Sequence, residues 1–368
     1  MKICFLGMDN LPVLADEFKA YGIGGEQVQQ TLLARSLTEI GHDVRMVVYD
    51  YGQADRRAWD GIMTHRAYRP ADGMPMLRFF YPRWTKTWHA LRDADADIYY
   101  VSCAGMLLGL VAMFCKLHGR KLVFRVAHDT DCRPDALLIK YWRDKKLYEY
   151  GLRRADLILV QSYQQQSEML RNYAKKSVVA KMLVQPPRAA VTRDIDVLWV
   201  NNLRHFKRPD LLIQLAQRMP HLRFCMIGGR QENFSELYDE IHDLARKLPN
   251  LQFLGRVPYQ EMSSYYGRAR VFVNTSDSEG FPNSYLQAWI HGTPTVAFFD
   301  PDSIIDREQL GFAVRSLDEM CEKVADLVGD KQLHEEYSSN CKSYMKSAYA
   351  DSAVLATYLS EMKEVCGG

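Results

Sequence analysis

The run Ser276-Asp277-Ser278-Glu279-Gly280-Phe281-Pro282-Asn283-Ser284-Tyr285-Leu286-Gln287 crowds acidic, hydroxyl and turn-forming residues between two apolar stretches. A strand-like run ends at Asn274, and a helical pattern starts with Asn283 or Ser284, both good N-cap residues. The spacing offers a carboxylate in the loop, open N–H groups at a helix start and the Gln287 amide on the first turn. Such a set suits a sugar hydroxyl, a diphosphate and a ribose together. A capped core helix with a surface Glu would account for Ser284 but not for the dense Glu-Gly-Phe-Pro-Asn sequence. Earlier, Asn201-Asn202-Leu203-Arg204-His205-Phe206-Lys207-Arg208-Pro209 places three cations before a helix. Cations there oppose the helix macrodipole unless an anion shares the site; a solvated basic turn is the alternative. Met226-Ile227-Gly228-Gly229 and Leu254-Gly255-Arg256-Val257-Pro258 repeat the strand-to-open-turn theme.

Near the start, Gly22-Ile23-Gly24-Gly25-Glu26-Gln27 precedes another helical pattern. Glycines there let a phosphate approach backbone N–H groups. A dinucleotide fingerprint would need its third glycine at Gln27, and the loop from Leu6 is too long for that tight turn. A flexible loop with a helix start therefore stays open beside the phosphate reading. His128 follows a strand-like run, and a single histidine in that setting is more often structural than chemical.

The elements that must position these residues form two series. Strand patterns fall at Lys2–Leu6, Val44–Tyr49, Ile98–Cys103, Leu122–Val126 and Leu157–Val160. Helical patterns alternate with them at Glu26–Ile40, Trp84–Asp93, Met106–His118, Ala136–Arg153 and Tyr163–Tyr173. The second series has strands at Val197–Val200, Phe224–Ile227, Leu251–Phe253, Val271–Asn274 and Thr295–Phe298. Its helices are Pro209–Arg218, Phe234–Lys247, Tyr259–Arg268, Ser284–His291 and Leu317–Val328, followed by Lys331–Ala348 and Ser352–Val365. Short β-rich runs separated by helices indicate βαβ units and parallel sheets. Gln185-Pro186-Pro187-Arg188 interrupts the pattern and is the expected hinge. The α/β chain thus reads as two Rossmann-like domains facing a cleft, residues 1–185 and 186–349, with a helix at about 350–368 returning to the first. In such sheets ligands sit beyond the carboxyl ends of the strands, where all the segments above fall.

Length and composition agree. The chain has 368 residues, 47% hydrophobic and 25% charged, enough for two cores and typical of a globular protein. The net charge of +2 gives no bulk sign of a nucleic-acid partner. It divides unevenly: residues 1–185 carry 27 basic and 20 acidic side chains, and residues 186–368 carry 20 and 25. The eight cysteines are scattered without a CxxC pair, as expected of reduced thiols in a cytosolic protein. No signal-peptide pattern opens the sequence, and the most apolar stretch, Ala104 to Cys115, is too short to span a bilayer.

Several of these segments resemble one family, the nucleotide-sugar glycosyltransferases of glycosyltransferase family 4, which retain anomeric configuration and have the GT-B fold. EGFPNSYLQAW resembles the family's Glu–seven residues–Glu signature, and VLWVNNLRHFKRPDLLIQLA its glycine-arginine-leucine…lysine segment. GIGGEQVQQTLLARSLTEIGHDV is similar to its first loop and helix, and ADLILVQS to the last strand of its first domain. The resemblance implies that Gly24 and Gly25 approach a donor diphosphate and that His128 is the active-site histidine near the donor sugar. It also implies that Lys207 pairs with the diphosphate beside Gly229, and that Arg256 and Val257 border the base. Glu279 would hold sugar hydroxyls, the Gly280-Phe281-Pro282-Asn283-Ser284 backbone would meet sugar and phosphate, and Gln287 would take the ribose. Two positions depart from the family. Asn202 stands where it has arginine, with Arg204 two residues on as the substitute charge, and Gln287 replaces the second Glu.

The implied activity is transfer from a nucleoside-diphosphate sugar to a hydroxyl acceptor in cell-surface polysaccharide, lipopolysaccharide or glycolipid synthesis. Fixed cations and helix N-termini can neutralise the departing diphosphate, so neither a metal nor another cofactor is expected. Asp93, Asp95 and Asp97 precede a strand and lie at the wrong sheet edge, while Asp129 and Asp131 read as a polar loop. No Cys/His set has zinc spacing. A sugar-nucleotide epimerase or phosphorylase would share the architecture, and a non-catalytic nucleotide-sugar sensor is the alternative that Asn202 and Gln287 suggest. A NAD-dependent dehydrogenase fails at Gln27. Leu77–Trp88 and Lys140–Tyr148 mix aromatics with cations. They suit either the inner face of an anionic membrane with a lipid-linked acceptor, or a solvated helix face whose aromatics serve the core or a sugar.

Overall fold

The computed structural model describes residues 1–368 except 76, 188–191, 231–233 and 368. Clustered contacts divide it into two units, Met1–Leu183 with Asp351–Gly368, and Val184–Ala350. The sequence reading placed the break at 185/186; Arg188, last residue of the expected hinge, lies outside the described residues.

In the first unit the strands are β1 (Lys2–Leu6), β2 (Asp43–Val48), β3 (Ala58–Trp59), β4 (Ile62–Arg66), β5 (Ile98–Ser102), β6 (Lys121–Arg125), β7 (Leu157–Val160) and β8 (Val178–Val179). They form a sheet in the order β3-β4-β2-β1-β5-β6-β7-β8, parallel apart from the β3–β4 hairpin. The helices are α1 (Leu11–Leu14), α2 (Gly25–Glu39), α3 (Thr85–Ala94), α4 (Met106–His118), α5 (Trp142–Arg154) and α6 (Tyr163–Tyr173). The central strands are buried along almost their whole length, which explains their continuous apolar runs. Helices α4 and α5 cross backbone to backbone, because a Cβ on Gly109 would sit 2.4 Å from the Leu147 carbonyl oxygen. Order reverses between β1 and β5: the chain first builds outward through β2, then returns to the other side of β1.

The second unit has β9 (Ile195–Val200), β10 (Phe224–Ile227), β11 (Leu251–Phe253), β12 (Ala269–Asn274), β13 (Thr295–Ala297) and β14 (Gly311–Ala313). All pair in parallel, in the order β11-β10-β9-β12-β13-β14. Its helices are α7 (Pro209–Arg218), α8 (Ser235–Ala245), α9 (Tyr259–Arg268), α10 (Asn283–Ile290), α11 (Ile304–Arg307), α12 (Leu317–Gly329) and α13 (Lys331–Ala348). A core of Val197, Trp199, Leu212, Met226, Val271 and Val324 fills the space between sheet and helices. The last helix, α14 (Asp351–Gly367), belongs to the first unit, where Tyr358 meets the buried Arg125 of β6.

Four strands, the short β3, β8 and β14 and the five-residue β4, escaped the sequence reading. The helix expected from Ala136 begins at Trp142 instead. Leu137 and Ile139 pack on the core while Leu138 between them is exposed, the alternation of extended chain rather than of a helix.

Candidate active site

Four strand ends of the second sheet lie side by side, because β11, β10, β9 and β12 are neighbours. Beyond β9, His205–Lys207 forms a single 3₁₀ turn. At the end of β12, Asn274, Thr275 and Ser276 are fully buried and polar. Thr275 joins the two segments: its hydroxyl accepts from Trp199 Nε1 at 2.9 Å and donates to the Lys207 carbonyl at 2.8 Å. The Asp277 N–H donates to the Phe206 carbonyl at 2.8 Å. The basic turn and the Glu279 loop are therefore one assembly, and Lys207 Nζ forms an ion pair with Glu279 Oε2 inside it. Little of either side chain is exposed, 14% for Lys207 and 8% for Glu279. Asn274 steadies the pair, its Nδ2 3.4 Å from Glu279 Oε1, while its Oδ1 accepts from the Ser276 N–H at 2.8 Å.

Helix α10 is anchored from below. Tyr285 and Trp289 are fully buried; the Tyr285 hydroxyl donates to the Phe299 carbonyl at 2.7 Å and Trp289 Nε1 to Thr295 Oγ1 at 3.0 Å. The helix starts one residue earlier than the sequence suggested. Pro282 occupies the N-cap position, and Asn283, already helical, is not the cap; no side chain caps this end. The Tyr285 N–H turns back to the Pro282 carbonyl at 3.1 Å, and no side-chain cap among the described residues competes with an anion for the N–H groups before it. Asn283 Oδ1 is buried there without a hydrogen-bond partner among the described residues. Gln287 falls one turn into α10 rather than on its first turn, and is half-buried.

The glycine turns are fixed by close approach. A Cβ on Gly228 would lie 2.5 Å from the Asn201 carbonyl oxygen and 2.4 Å from Leu203 Cδ1. The Gly228 N–H donates to the Gly255 carbonyl at 2.9 Å, and a Cβ on Gly229 would meet Arg256 Nε at 3.0 Å. Gly229 and Arg256 therefore share one edge with the Asn201 turn. Arg204 is exposed at the start of the 3₁₀ turn, and Val257 is half-buried beyond β11. Arg208 is drawn toward acids, 2.8 Å from Asp210 and 3.6 Å from Asp277.

The remaining expected residues lie in the first unit. Gly24 is the N-cap of α2 and Gly25 its first residue. The Gly24 N–H donates to Gln27 Oε1 at 3.0 Å, so Gln27, which broke the dinucleotide pattern, closes this turn. His128 precedes a 3₁₀ turn at Asp129–Cys132. Its Nδ1 accepts from the Thr130 N–H at 3.2 Å and lies 2.9 Å from Thr130 Oγ1, which in the neutral ring leaves the proton on Nε2. Asp131 Oδ2 accepts from the N–H groups of Ala127 and His128 at 3.1 and 3.2 Å, fixing the backbone that carries the ring. Burial pushes the Asp129 and Asp131 carboxyls up to about 6, with hydrogen bonds from Gln165 and from backbone N–H groups opposing it. Asp95 and Asp97 sit at the opposite, amino-terminal strand edge with Lys2 and Arg120. Among the described residues no group of three His, Cys, Asp or Glu side chains could hold a metal ion.

Sequence reasoning missed Thr275 and Asn274 and read Asp131 only as part of a polar loop; all three position the residues it did single out. The available signal was the polar Asn-Thr-Ser run at the end of an apolar strand.

Each unit matches a glycosyltransferase family model. Residues 24–182 match a glycosyl transferase 4-like domain, and residues 194–330 match the glycosyl transferases group 1 domain. Each unit is thus similar to one of the two domains of the GT-B glycosyltransferases. Over 104 residues it is 30% identical to a D-inositol 3-phosphate glycosyltransferase of Mycobacteroides abscessus, covering 27% of this chain and 24% of the relative. Over 102 residues it is 32% identical to the O-antigen biosynthesis glycosyltransferase WbnH of Escherichia coli, covering 27% of each. The chain thus aligns with about a quarter of the length of the curated relatives it matches. The GT-B fold extends over the whole chain. Sucrose-phosphate synthase from Thermosynechococcus elongatus superposes with a TM-score of 0.78 at 15% identity, covering 99% of this chain and 98% of the other. Anabaena HepE, solved with UDP and glucose, gives 0.74 at 14% identity over 99% and 100%.

Proposed function

We propose that this protein transfers a glycosyl group from a nucleoside-diphosphate sugar to a hydroxyl acceptor, with retention at the anomeric carbon and without a metal. The observation that carries the reading is the buried Lys207–Glu279 pair beside the uncapped start of α10. Cleavage of the donor leaves negative charge growing on the departing diphosphate. Lys207 and the open N–H groups of α10 supply fixed positive charge there, and Arg204 adds an exposed cation on the same turn. Glu279 Oε1, in a long contact with Asn274, is an acceptor for sugar hydroxyls, while Gly229, Arg256 and Val257 line the next strand end for the base. The family resemblance assigns His128 of the first unit to the donor sugar, and the Thr130 N–H on its Nδ1 puts the neutral ring's proton on Nε2. The O-antigen relative supports a place in cell-surface polysaccharide, lipopolysaccharide or glycolipid assembly.

Unit one supports a lipid-linked acceptor reached from the cytoplasmic membrane face. The Arg143 guanidinium lies 3.5 Å from the Phe79 ring centroid, joining the two aromatic–cationic segments of the sequence into one surface. Leu77, Phe80, Tyr81, Leu138, Tyr141 and Trp142 are exposed around it, with Arg78 and Lys140 among them. Anionic interfaces favour that mixture. Among the described residues no helix is long and apolar enough to cross a membrane.

A thermal-shift panel of UDP-, GDP- and ADP-sugars tests the donor reading. At least one should raise the melting temperature of the wild type, since a ligand that binds the native state stabilises it. Turnover of that donor should survive EDTA. If no nucleotide sugar shifts the wild type, the donor assignment fails.

A further inference from the structure

The first unit holds a second polar cluster, apart from the residues that the donor reading uses. It lies beyond the carboxyl ends of β1, β2 and β4, neighbours on one side of the point where strand order reverses. Backbone hydrogen bonds tie these ends together. The Tyr49 N–H donates to the Met8 carbonyl at 2.8 Å, and the Asp50 N–H to the Tyr68 carbonyl at 3.0 Å. The Tyr49 and Tyr68 rings meet edge to face, centroids 5.2 Å apart, and their hydroxyls share a hydrogen bond. Beside them Tyr51 packs against Tyr21 at 4.7 Å and Phe18 at 5.8 Å, and Tyr21 is half exposed.

Two charges of opposite sign face this aromatic group without meeting. Asp9, which follows β1, acts on Tyr49, Tyr51 and Tyr68; Arg83, just ahead of α3, acts on Tyr49 and Tyr68. Among the described residues neither side chain enters an ion pair, and Arg83 Nε is buried without a hydrogen-bond partner. Partial burial raises the Asp9 carboxyl although the residue keeps access to solvent. The neighbouring Asp50 is already engaged by Arg66 and Arg69, at 3.9 and 3.3 Å. Unpaired charges drawn partly out of water cost stability, so keeping two of them on either side of one aromatic group marks a place for a ligand. A ligand of a single charge would satisfy only one of them. A ring with several hydroxyls satisfies both: it donates to Asp9, accepts from Arg83 and lays its apolar face on an aromatic side chain.

Distance decides which ring this is. His128 follows β6, three strands from β2 in the sheet, or about 14 Å at the usual strand spacing. That exceeds one pyranose ring. We propose that Asp9, Arg83 and Tyr51 form an outlying acceptor subsite for a glycosyl unit behind the one that reacts, which makes the acceptor an oligosaccharide rather than a single sugar. This inference rests on the glycosyl-transfer reading with His128 at the reacting end. An array of mono-, di- and trisaccharides, printed in series that share a terminal sugar, tests it with the wild-type protein. At least one di- or trisaccharide should bind about tenfold or more tightly than its terminal monosaccharide, the gain expected from hydrogen bonds to charged groups. Asp9→Asn, Arg83→Gln and Tyr51→Ala should each lose most of that preference while affinity for the monosaccharide holds. Asp9→Asn and Arg83→Gln each remove an unpaired charge and should leave the melting temperature unchanged or raised, so the test stands even if Tyr51→Ala fails to fold. Absence of any preference for the longer glycans, or a preference unaltered in Asp9→Asn and Arg83→Gln, overturns the subsite. A melting temperature lowered in both variants also overturns it, by showing that the two charges serve the fold. The thermal shift produced by nucleotide sugars should persist in every variant; its absence from the wild type would instead strike the donor reading.

Discussion

Replacing Lys207 by Met removes a cation from a nearly buried pair and leaves Glu279 behind. The stranded carboxylate is 8% exposed, and its remaining hydrogen-bond contact among the described residues is Asn274 Nδ2 at 3.4 Å, too long to compensate a charge. Breaking a buried pair from one side costs about 3–5 kcal/mol, whereas an exposed pair is worth about 0–1. At 14% and 8% exposure this pair lies near the buried limit, so Lys207→Met should destabilise the second unit by about 3 kcal/mol. For a domain of this size that is a melting shift of roughly 6–12 °C. Glu279→Gln keeps the shape and an acceptor and should cost less, and the double variant should recover part of the Lys207→Met loss. A double-mutant cycle followed by urea denaturation reads the coupling directly. Binding responses should diverge. Lys207→Met loses the nucleoside-diphosphate thermal shift, while Glu279→Gln releases Lys207 from its internal partner and retains or enlarges that shift as transfer falls. Additive single variants, or a Lys207→Met loss under about 0.5 kcal/mol, would refute the reasoning by showing a solvent-screened pair.

Two further outcomes follow from packing and protonation. Gly151→Ala would place a Cβ 2.6 Å from the Leu108 carbonyl and force α4 from α5, and chemical denaturation should show a loss of about 1–3 kcal/mol. The two units should also respond oppositely to pH. Burial holds His291 neutral, its pKa lowered from 6.5 to about 4, so between those values the unfolded chain binds a proton that the folded chain does not. Second-unit stability therefore rises with pH through that window and is lost toward pH 4. Glu26, Asp129 and Asp131 are raised by burial to about 7, 6 and 6, so the folded first unit keeps protons the unfolded chain has released. Its stability falls as pH rises from about 4 to 7. Hydrogen exchange resolved by unit at several pH values checks both signs, and His291→Gln should flatten the second unit's acid limb.

Legibility in the sequence followed burial. Strands β1, β7 and β10 and helices α4, α6, α7, α9 and α13 fall where their periodicity places them, because each buries a continuous face, and β11 coincides too with Leu251 buried. The β3–β4 hairpin carries no such signal: Ala58–Trp59 is a two-residue strand, and the turn depends on Asp60 and Gly61 at φ 51° and 77°. Strand β14 exists through tertiary contact. A Cβ on Gly311 would lie 1.8 Å from the Thr295 carbonyl oxygen, so only glycine lets this chain pair with β13. Pattern reasoning on three residues cannot reach that constraint.

At the site, residue types were readable and their mutual arrangement was not. Lys207 and Glu279 were given separate tasks, yet 72 positions apart they form one ion pair, because Thr275 ties the Lys207 carbonyl to the end of β12. That tie makes the arrangement more than two charges meeting. The same short segment, Asn274 to Ser276, holds Glu279 through an amide and Lys207 through a hydroxyl, so the loop and the turn are set by strand β12 rather than by each other. A diphosphate that draws Lys207 away then encounters a carboxylate and a helix end already in place, with no loop left to order. Thr275→Val tests that step: it retains the shape but removes both hydrogen bonds, so Lys207 should lose its position while the ion-pair partners remain. Nucleoside-diphosphate affinity should drop several-fold at little change in secondary structure by circular dichroism, and unchanged affinity would show that Lys207 needs no such support.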